Sequence, residues 1–528
     1  MKITYIGNVS KDNIKTIRGE NKTSIGGSAI YSSFATKLVN KNINISIVSN
    51  TTRRNIEYIK CNNIQFEGNQ IENDTEFMID EQKGTCIGKN YNNIYLKNKI
   101  ITDHLHVSFR KGIDISSIIN NTELKYKTLS ADVMIHSVEN IIPEIIKYES
   151  KIKILFCNLQ EYDIIKDYVR KIPLLIITNN KYPIIIKEKG IFYIYNVKKC
   201  KNIVSDTGAG DSFIGGFLGE YLKNKNIEDA VKAGAETSSL SLLNIGPLKT
   251  NSKMILNKGK IKKLPSNIIV LGNPCTGKTT FINILTKYFD VYSKIDDIKP
   301  LQEVFYIDDT IRKNVAILME SEFNKNIRYC KDIIEEYKMD CPKINYYTKP
   351  SKNKKGHDII RPVLWDKIIE YAIRDDNNIN KIIEFSRGKD ELYEKEYGED
   401  VYQKSIKEIF KYLVNKNDTI IINIKAPYSI RIERNKERAK SGGHYVSDNA
   451  MEKVYKKDYF NSKKYDKFST LNLYNEKILV YNMNNSQINR DKLEEYIIQK
   501  IKNMVKIYNE FKEKENGFKE SSKGSISK

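Results

Sequence analysis

Two short stretches combine residue types able to handle an anion. In VSDTGAGDSFIGGF, residues 204–217, Gly208 and Gly210 lie between Asp206 and Asp211. The segment that follows, SFIGGFLGEYL, has helical spacing. Gly208, Ala209 and Gly210 would therefore present main-chain N–H groups at a helix start, where the dipole adds favourable potential for an anion. Asp211 falls in the first turn. A carboxylate there can deprotonate an acceptor hydroxyl while the amides hold charge developing on a transferred phosphoryl. On these residues alone, a glycine-rich turn capped by Asp211 fits as well. The second stretch, LGNPCTGKTTF at 271–281, reads Gly272-x-x-x-x-Gly277-Lys278-Thr279. A strand-like run, NIIVLGN, precedes it and a helical one, TFINILTKYF, follows, the setting this phosphate-loop pattern requires. Successive amides through Thr280 would cradle phosphates, Lys278 would reach the outer ones and act on the transferring group, and Thr279 would ligate Mg²⁺.

Each stretch needs a sheet and a helix to position it. Over the first 247 residues, short β-branched runs (KITYIGNV, ISIVSN, KILFCNL, LLIITNN, IIIKE) alternate with helically spaced ones (SAIYSSFATKLV, EYDIIKDYVRK, IEDAVKAGAETSSLSLL). The alternation predicts an α/β layered domain with a largely parallel sheet. Residues 248–266, polar, basic and marked by Gly and Pro, read as a linker. IIVLGN then opens a second α/β unit running to 508. The charged tail, 509–528, has little to bury and is expected to be disordered.

The bulk composition narrows the classes. Of 528 residues, 40% are hydrophobic, enough for packed cores, and the length predicts more than one domain. The formal net charge of +22 would suit nucleic acid or an anionic membrane. The lysines, however, are spread through the whole chain among Asn, Ile and Tyr, which reads as a solvated basic surface that also favours anionic nucleotides. Seven widely spaced cysteines without a C-x-x-C pair support neither a disulfide framework nor a zinc site. No run approaches the roughly 18 apolar residues of a membrane span, and the N-terminus lacks a signal-peptide core. A cytoplasmic location is expected, without a membrane or nucleic-acid partner.

Ser205-Asp206-Thr207-Gly208-Ala209-Gly210-Asp211-Ser212-Phe213 resembles the C-terminal signature of the ribokinase/PfkB carbohydrate and nucleoside kinase family. SIGGSAIYSS, with Gly26 and Gly27, resembles its diglycine signature; YIGNVSKDN supplies an opening strand leading to an acidic residue. Asn158-Leu159-Gln160-Glu161 matches its N-x-x-E element, and the four stand in family order. The resemblance implies a ribokinase-like three-layer α/β/α domain over 1–247. It makes Asp211 the base, the amides of Gly208, Ala209 and Gly210 the anion hole, and Asn158 and Glu161 the organisers of Mg²⁺. Asp12, Gly26 and Gly27 would contact the acceptor. Thr178 ends the strand near which relatives carry a turn beside the adenine. Tyr31 stands where sugar kinases of the family often carry Asn, which points away from ribokinase-like sugar specificity: the ring would stack on an acceptor or simply pack inside. Ser205 replaces a common Asp. Relatives often dimerise through a lid sheet, so a homodimer is one option.

Residues 267–505 resemble the P-loop nucleoside and nucleotide kinases, firmly at the loop and weakly elsewhere, which implies a P-loop NTPase α/β/α domain with a parallel sheet. KIIEFSRGKDELY ends a strand in Glu384 with Arg387 three residues on; the resemblance makes Glu384 the base or the Mg²⁺-water ligand and Arg387 an acceptor contact. Arg431, Arg434 and Arg438 share a helical face by their spacing, either as a nucleotide lid or as a solvated basic helix. Acceptor candidates between loop and Glu384 are Asp308, Asp309, Arg312, His357, Arg361, Trp365 and Asp366. The leading expectation is a bifunctional kinase using ATP and Mg²⁺ on two small-molecule acceptors. In the alternative, the C-terminal half is a regulatory NTPase for the first site.

Overall fold

The computed structural model describes residues 1–94, 96, 99–134, 138–198, 200–254, 259–289, 293–295, 348–350, 357–359, 369, 373, 380–386, 394–395, 398–399, 401–441, 445–456, 467–486 and 492–524. The chain divides into two compact units, Met1–Leu264 and Pro265–Lys528.

A ten-stranded sheet forms the centre of the first unit. In spatial order its strands are Lys262–Lys263, Ile191–Tyr195, Ile184–Glu188, Leu174–Thr178, Ile152–Asn158, Leu124–Val133, Ile100–Phe109, Lys2–Ile6, Asn44–Val48 and Gln65–Phe66. Every pairing from Leu174–Thr178 to Gln65–Phe66 is parallel, and the other three strands add on antiparallel. The β-branched runs read as strands are buried on both faces, as a sheet covered by helices on either side requires. The sequence reading did not single out Ile100–Phe109 and Leu124–Val133, the two longest strands of this sheet. Polar alternation at their N-terminal ends hides them; their C-terminal halves are buried.

A second, four-stranded sheet consists of Asn21–Gly26, Ser10–Lys15, Thr75–Asp80 and Thr85–Lys89. One face turns Asp12, Ile14 and Phe77 inward; the other shows Lys11, Met78 and Ile87 to solvent. The segment 248–266, expected to be a linker, belongs mostly to the first unit. Leu248 packs in a core cluster with Ala35 and Leu38, and Lys262–Lys263 pairs with Tyr193–Ile194. Two isolated apolar residues and a two-residue strand leave too weak a periodicity to read.

The helices Ser28–Val39 and Ala209–Asn224 lie against each other, each buried along most of its length. Thr36 Oγ1 donates to the Gly215 carbonyl at 2.8 Å, and Ser32 Oγ donates to the Asp211 carbonyl at 2.9 Å. A Cβ at Gly215 would lie 1.9 Å from the Ser32 carbonyl oxygen, so the glycine permits this approach. Gly215→Ala must push two backbones apart, an overpacking cost of about 1–3 kcal/mol. Scanning calorimetry of the variant should show the first unit melting on the order of 5 °C lower; an unchanged melt would mean the helices are not packed this closely.

The second unit holds a six-stranded sheet: Ser293–Ile295, Lys381–Phe385, Asn267–Leu271, Thr419–Lys425, Glu476–Asn484 and Lys467–Leu473. All pairings are parallel except the last. Asn267–Leu271 is interior, and the chain crosses to strands on both of its sides. Such a reversal of direction opens a crevice at the carboxyl ends of parallel strands. The final helix, Leu493–Gly524, runs on through most of the segment expected to be disordered. Its charges are spaced for helix support, as in Lys506–Glu510 and Lys512–Glu515, so a sequence that buries little still favours helix. Among the described residues no helix is long and apolar enough to cross a membrane.

Candidate active site

The helix Ala209–Asn224 begins at the carboxyl edge of the main sheet with Gly208 as its N-cap, at φ 76°. No side chain caps it. A Cβ at Gly208 would stand 2.4 Å from the Tyr31 ring, so position 208 requires glycine for conformation and for space. Asp211 sits in the helix's first turn. Its Oδ1 lies 3.3 Å from Nη2 of Arg110, which also pairs with Oδ2 of Asp132. Arg110 follows Ile100–Phe109 and Asp132 lies in Leu124–Val133, so two adjacent parallel strands deliver the pair to the helix start. The His106 ring stands 3.2 Å from Asp132 Oδ1 and hydrogen-bonds Ser130 Oγ through Nδ1 at 2.8 Å. Burial, the largest influence, pushes the Asp132 carboxyl up, but the Arg110 charge together with His106 and the Ser108 hydrogen bond outweighs it and leaves the group at about 2. Asp211 ends above its ordinary range because burial and the Asp132 charge together exceed the pull of Arg110. The result is a half-buried carboxylate with raised proton affinity at a helix N-terminus, the arrangement a general base needs.

Asp12 faces this helix from the smaller sheet. Ser10 Oγ donates to its Oδ1 at 2.7 Å, the Tyr31 hydroxyl to its Oδ2 at 3.3 Å, and the Gly27 amide also donates to it. Tyr31 is 1% exposed, so its ring packs inside, between Asp12 and the anion hole. Burial pushes Asp12 up to about 6 from an ordinary 3.8, with the Asp211 charge adding to the rise. Protonation therefore removes an acceptor oxygen below about pH 6. On the expectation that Asp12 contacts a hydroxyl-bearing acceptor, the acceptor's KM should climb close to tenfold per pH unit below that value and level off above it. Asp12→Asn should give a KM that is high and flat with pH across 5–8. Initial rates across that range check this; a wild-type KM that does not change would exclude Asp12 from the acceptor contact.

Asn158 and Glu161 form a reciprocal capping box at the start of Leu159–Ile165, at 2.7 and 2.9 Å. Both line a cavity of about 390 Å³ together with Arg110, Asp132, Thr178, Asp206, Gly208, Gly210 and Asp211. The structure thus brings the glycine loop, Asp211, the N-x-x-E element and Thr178 around one space. Asp12, Gly26, Gly27 and Tyr31 are not among the residues that line it. Sequence reasoning missed Arg110, Asp132 and His106. A charged residue closing the parallel strand HVSF is the signal that could have found Arg110.

In the second unit, the loop from Gly272 to Gly277 joins the interior strand to the helix Lys278–Tyr288. Gly272, Cys275 and Gly277 all have positive φ. Lys278 Nζ donates to the carbonyls of Gly272 and Asn273 at 2.9 and 3.2 Å. The Thr279 hydroxyl lies 3.3 and 3.4 Å from the two oxygens of Glu384, a buried residue of Lys381–Phe385. Thr280 is exposed in the helix's first turn. The three arginines on Tyr428–Lys440 diverge. Arg431, 3% exposed, donates to the carbonyls of Ala426, Tyr455 and Lys456 and so braces the chain instead of forming a lid. Arg434 reaches the Cys275 carbonyl at 3.4 Å and that of Asn485 at 3.0 Å. Arg438 keeps two buried guanidinium nitrogens without partners among the described residues. Helical spacing sets their common face; which side packs inward is a tertiary outcome. Arg387, Asp308, Asp309, Arg312, Arg361, Trp365 and Asp366 lie outside the described residues. His357 lies in the short strand His357–Ile359.

Residues 143–254 match the model of the pfkB family carbohydrate kinase. Over 73 residues the chain is 36% identical to adenosine kinase 2 of Arabidopsis thaliana, spanning 13% of this chain and 21% of that protein. Over 135 residues it is 31% identical to the ribokinase of Lactococcus lactis, covering 26% and 42%. The chain thus spans less than half the length of these curated relatives. Among solved structures it is similar to a pyrophosphate-dependent kinase in the ribokinase family complexed with a pyrophosphate analog and myo-inositol. The TM-score there is 0.39 at 18% identity, covering 47% of this chain and 97% of that one. The nucleoside kinase of Methanocaldococcus jannaschii gives a TM-score of 0.39 at 18% identity, with 46% and 92% covered.

Proposed function

We propose that Met1–Leu264 transfers the terminal phosphoryl group of ATP to a hydroxyl of a sugar, inositol or nucleoside. The observation that carries this reading is Asp211: a half-buried carboxylate with raised proton affinity, in the first turn of a helix whose glycine N-cap opens on a cavity. Asp12 would orient the acceptor hydroxyl, and Asp211 would take its proton as the oxygen attacks. The amides of Gly208, Ala209 and Gly210, with the guanidinium of Arg110, would hold the charge that develops on the transferred group. Thr178 would border the donor. ATP supplies the phosphoryl group, and Mg²⁺ when bound neutralises its oxygens. Glu161, a buried carboxylate on the cavity wall beside Asn158, is the residue suited to orient that ion's water shell.

The second unit we read as a P-loop phosphotransferase acting on another acceptor. Support comes from the loop pattern, its seat between an interior parallel strand and a helix, and the Thr279–Glu384 contact. Lys278 would exchange its loop carbonyls for phosphate oxygens. Glu384 would hold a metal-bound water or act as base, and Arg434, on the Cys275 carbonyl, would supply a cation near the loop.

The experiment is a screen of sugars, inositols, nucleosides and nucleotides for acceptor-stimulated ADP release by the full chain. Asp211→Asn and Lys278→Ala assign each activity to its unit. A hydroxyl acceptor whose turnover falls with Asp211→Asn alone supports the reading. Acceptor-stimulated turnover indifferent to Asp211→Asn would end it for the first unit.

A further inference from the structure

Glu81 belongs to none of the motifs above, yet its carboxylate gathers five donors. It follows Thr75–Asp80, and its own amide donates to the Lys15 carbonyl at 3.0 Å, so it is fixed to the smaller sheet. Oε2 accepts from the Ile17 amide of that sheet's first hairpin at 2.9 Å. Oε1 reaches across to the loop that enters the anion hole. There it accepts from the amides of Asp206 and Thr207 at 3.0 and 3.1 Å, from Thr207 Oγ1 at 2.7 Å and from Ser205 Oγ. These amides directly precede Gly208. A carboxylate accepting several N–H bonds is strongly favoured in its charged form. The hydrogen bonds hold Glu81 below its ordinary range although burial pulls the other way.

Asp12 and Glu81 ride on the same sheet. One faces the acceptor side; the other grips the peptide units that aim the phosphate-binding amides. We propose that Glu81 is a positioning residue that couples the four-stranded sheet to the anion hole, so that donor phosphates find the 208–210 amides aligned only while that sheet is seated. The inference rests on the reading of the first unit as a phosphotransferase. Arg18, whose Nη2 donates to the Asn202 carbonyl at 3.2 Å, adds a second tie between the same two segments. A residue that merely stabilised the fold would not transmit binding from the loop to the Ile17 hairpin.

Hydrogen–deuterium exchange of the full chain, titrated with Mg·ADP, reads this coupling at both ends. In the wild type, ADP should protect 207–211 and, with the same midpoint, 15–19. In Glu81→Gln and Glu81→Ala, exchange at 205–210 should quicken about tenfold without ligand, and the ADP midpoint at 207–211 should rise about tenfold. ADP protection of 15–19 should disappear in both, while protection of 273–279 stays as in the wild type. If either variant unfolds, seen as exchange of Lys2–Ile6, Thr207→Val removes one donor and should give the same pattern at about threefold. Variants indistinguishable from the wild type, or a wild type in which 15–19 never responds to ADP, would overturn the coupling while leaving the transfer reading intact. A wild type in which 207–211 ignores ADP would remove that reading, and the coupling with it.

Discussion

Replacing Asp211 with asparagine should lower acceptor-dependent phosphoryl transfer by the first unit on the order of 10³-fold, the scale of a lost general base. The substitution keeps volume and leaves the helix N-terminus unchanged, so the glycine amides should still bind donor phosphates. Arg110 retains Asp132 as its partner, and no buried guanidinium is left without a carboxylate. The loss should therefore appear in kcat, with the donor KM within about threefold of wild type. Steady-state kinetics on whichever acceptor the screen identifies measures both. Loss confined to KM would make Asp211 a binding residue and return the proton to another group.

Lys278→Ala should weaken nucleotide binding at the second loop by on the order of 100-fold, the worth of a charge-assisted contact to phosphate. Lys278 is 5% exposed and its ammonium now rests on two loop carbonyls, so the alanine also withdraws the brace that folds the loop on itself. The first unit's turnover should be unaffected. Calorimetric titration with an ATP analogue, with acceptor-dependent turnover of the first unit as control, separates the effects. If Lys278→Ala silenced the first unit's chemistry, the second would be its regulator and not an independent transferase.

Local signals made much of this legible. SAIYSSFATKLV forms a helix over Ser28–Val39 because small and apolar residues let nearly all of it bury, and the β-branched runs form strands where expected. The glycine loop and Asp211 stand out in the sequence because few residue types leave main-chain amides and a carboxylate together at a helix start, and the structure places them on one cavity wall. Arg110, Asp132 and Glu81 were not. Each acts through partners far along the chain: Arg110 on Asp211, Asp132 on Arg110, Glu81 on a loop more than a hundred residues away. Only the sheet register and the smaller sheet's position bring them together. The arginines of Tyr428–Lys440 show the complementary failure. Their spacing was right, yet the packing of Arg431 against the 455–456 carbonyls gives it a task that periodicity cannot foresee. The tail is helical through Gly524 although it offers little to bury, because Lys–Glu spacing supports helix.

The most direct measurement is the stoichiometry of nucleotide binding to the full chain, with a non-hydrolysable ATP analogue, Mg²⁺ and isothermal calorimetry. The proposed phosphate grip at both glycine loops predicts two nucleotides per chain, falling to one in Lys278→Ala. A single site that survives Lys278→Ala unchanged, or no site at all, would contradict the account.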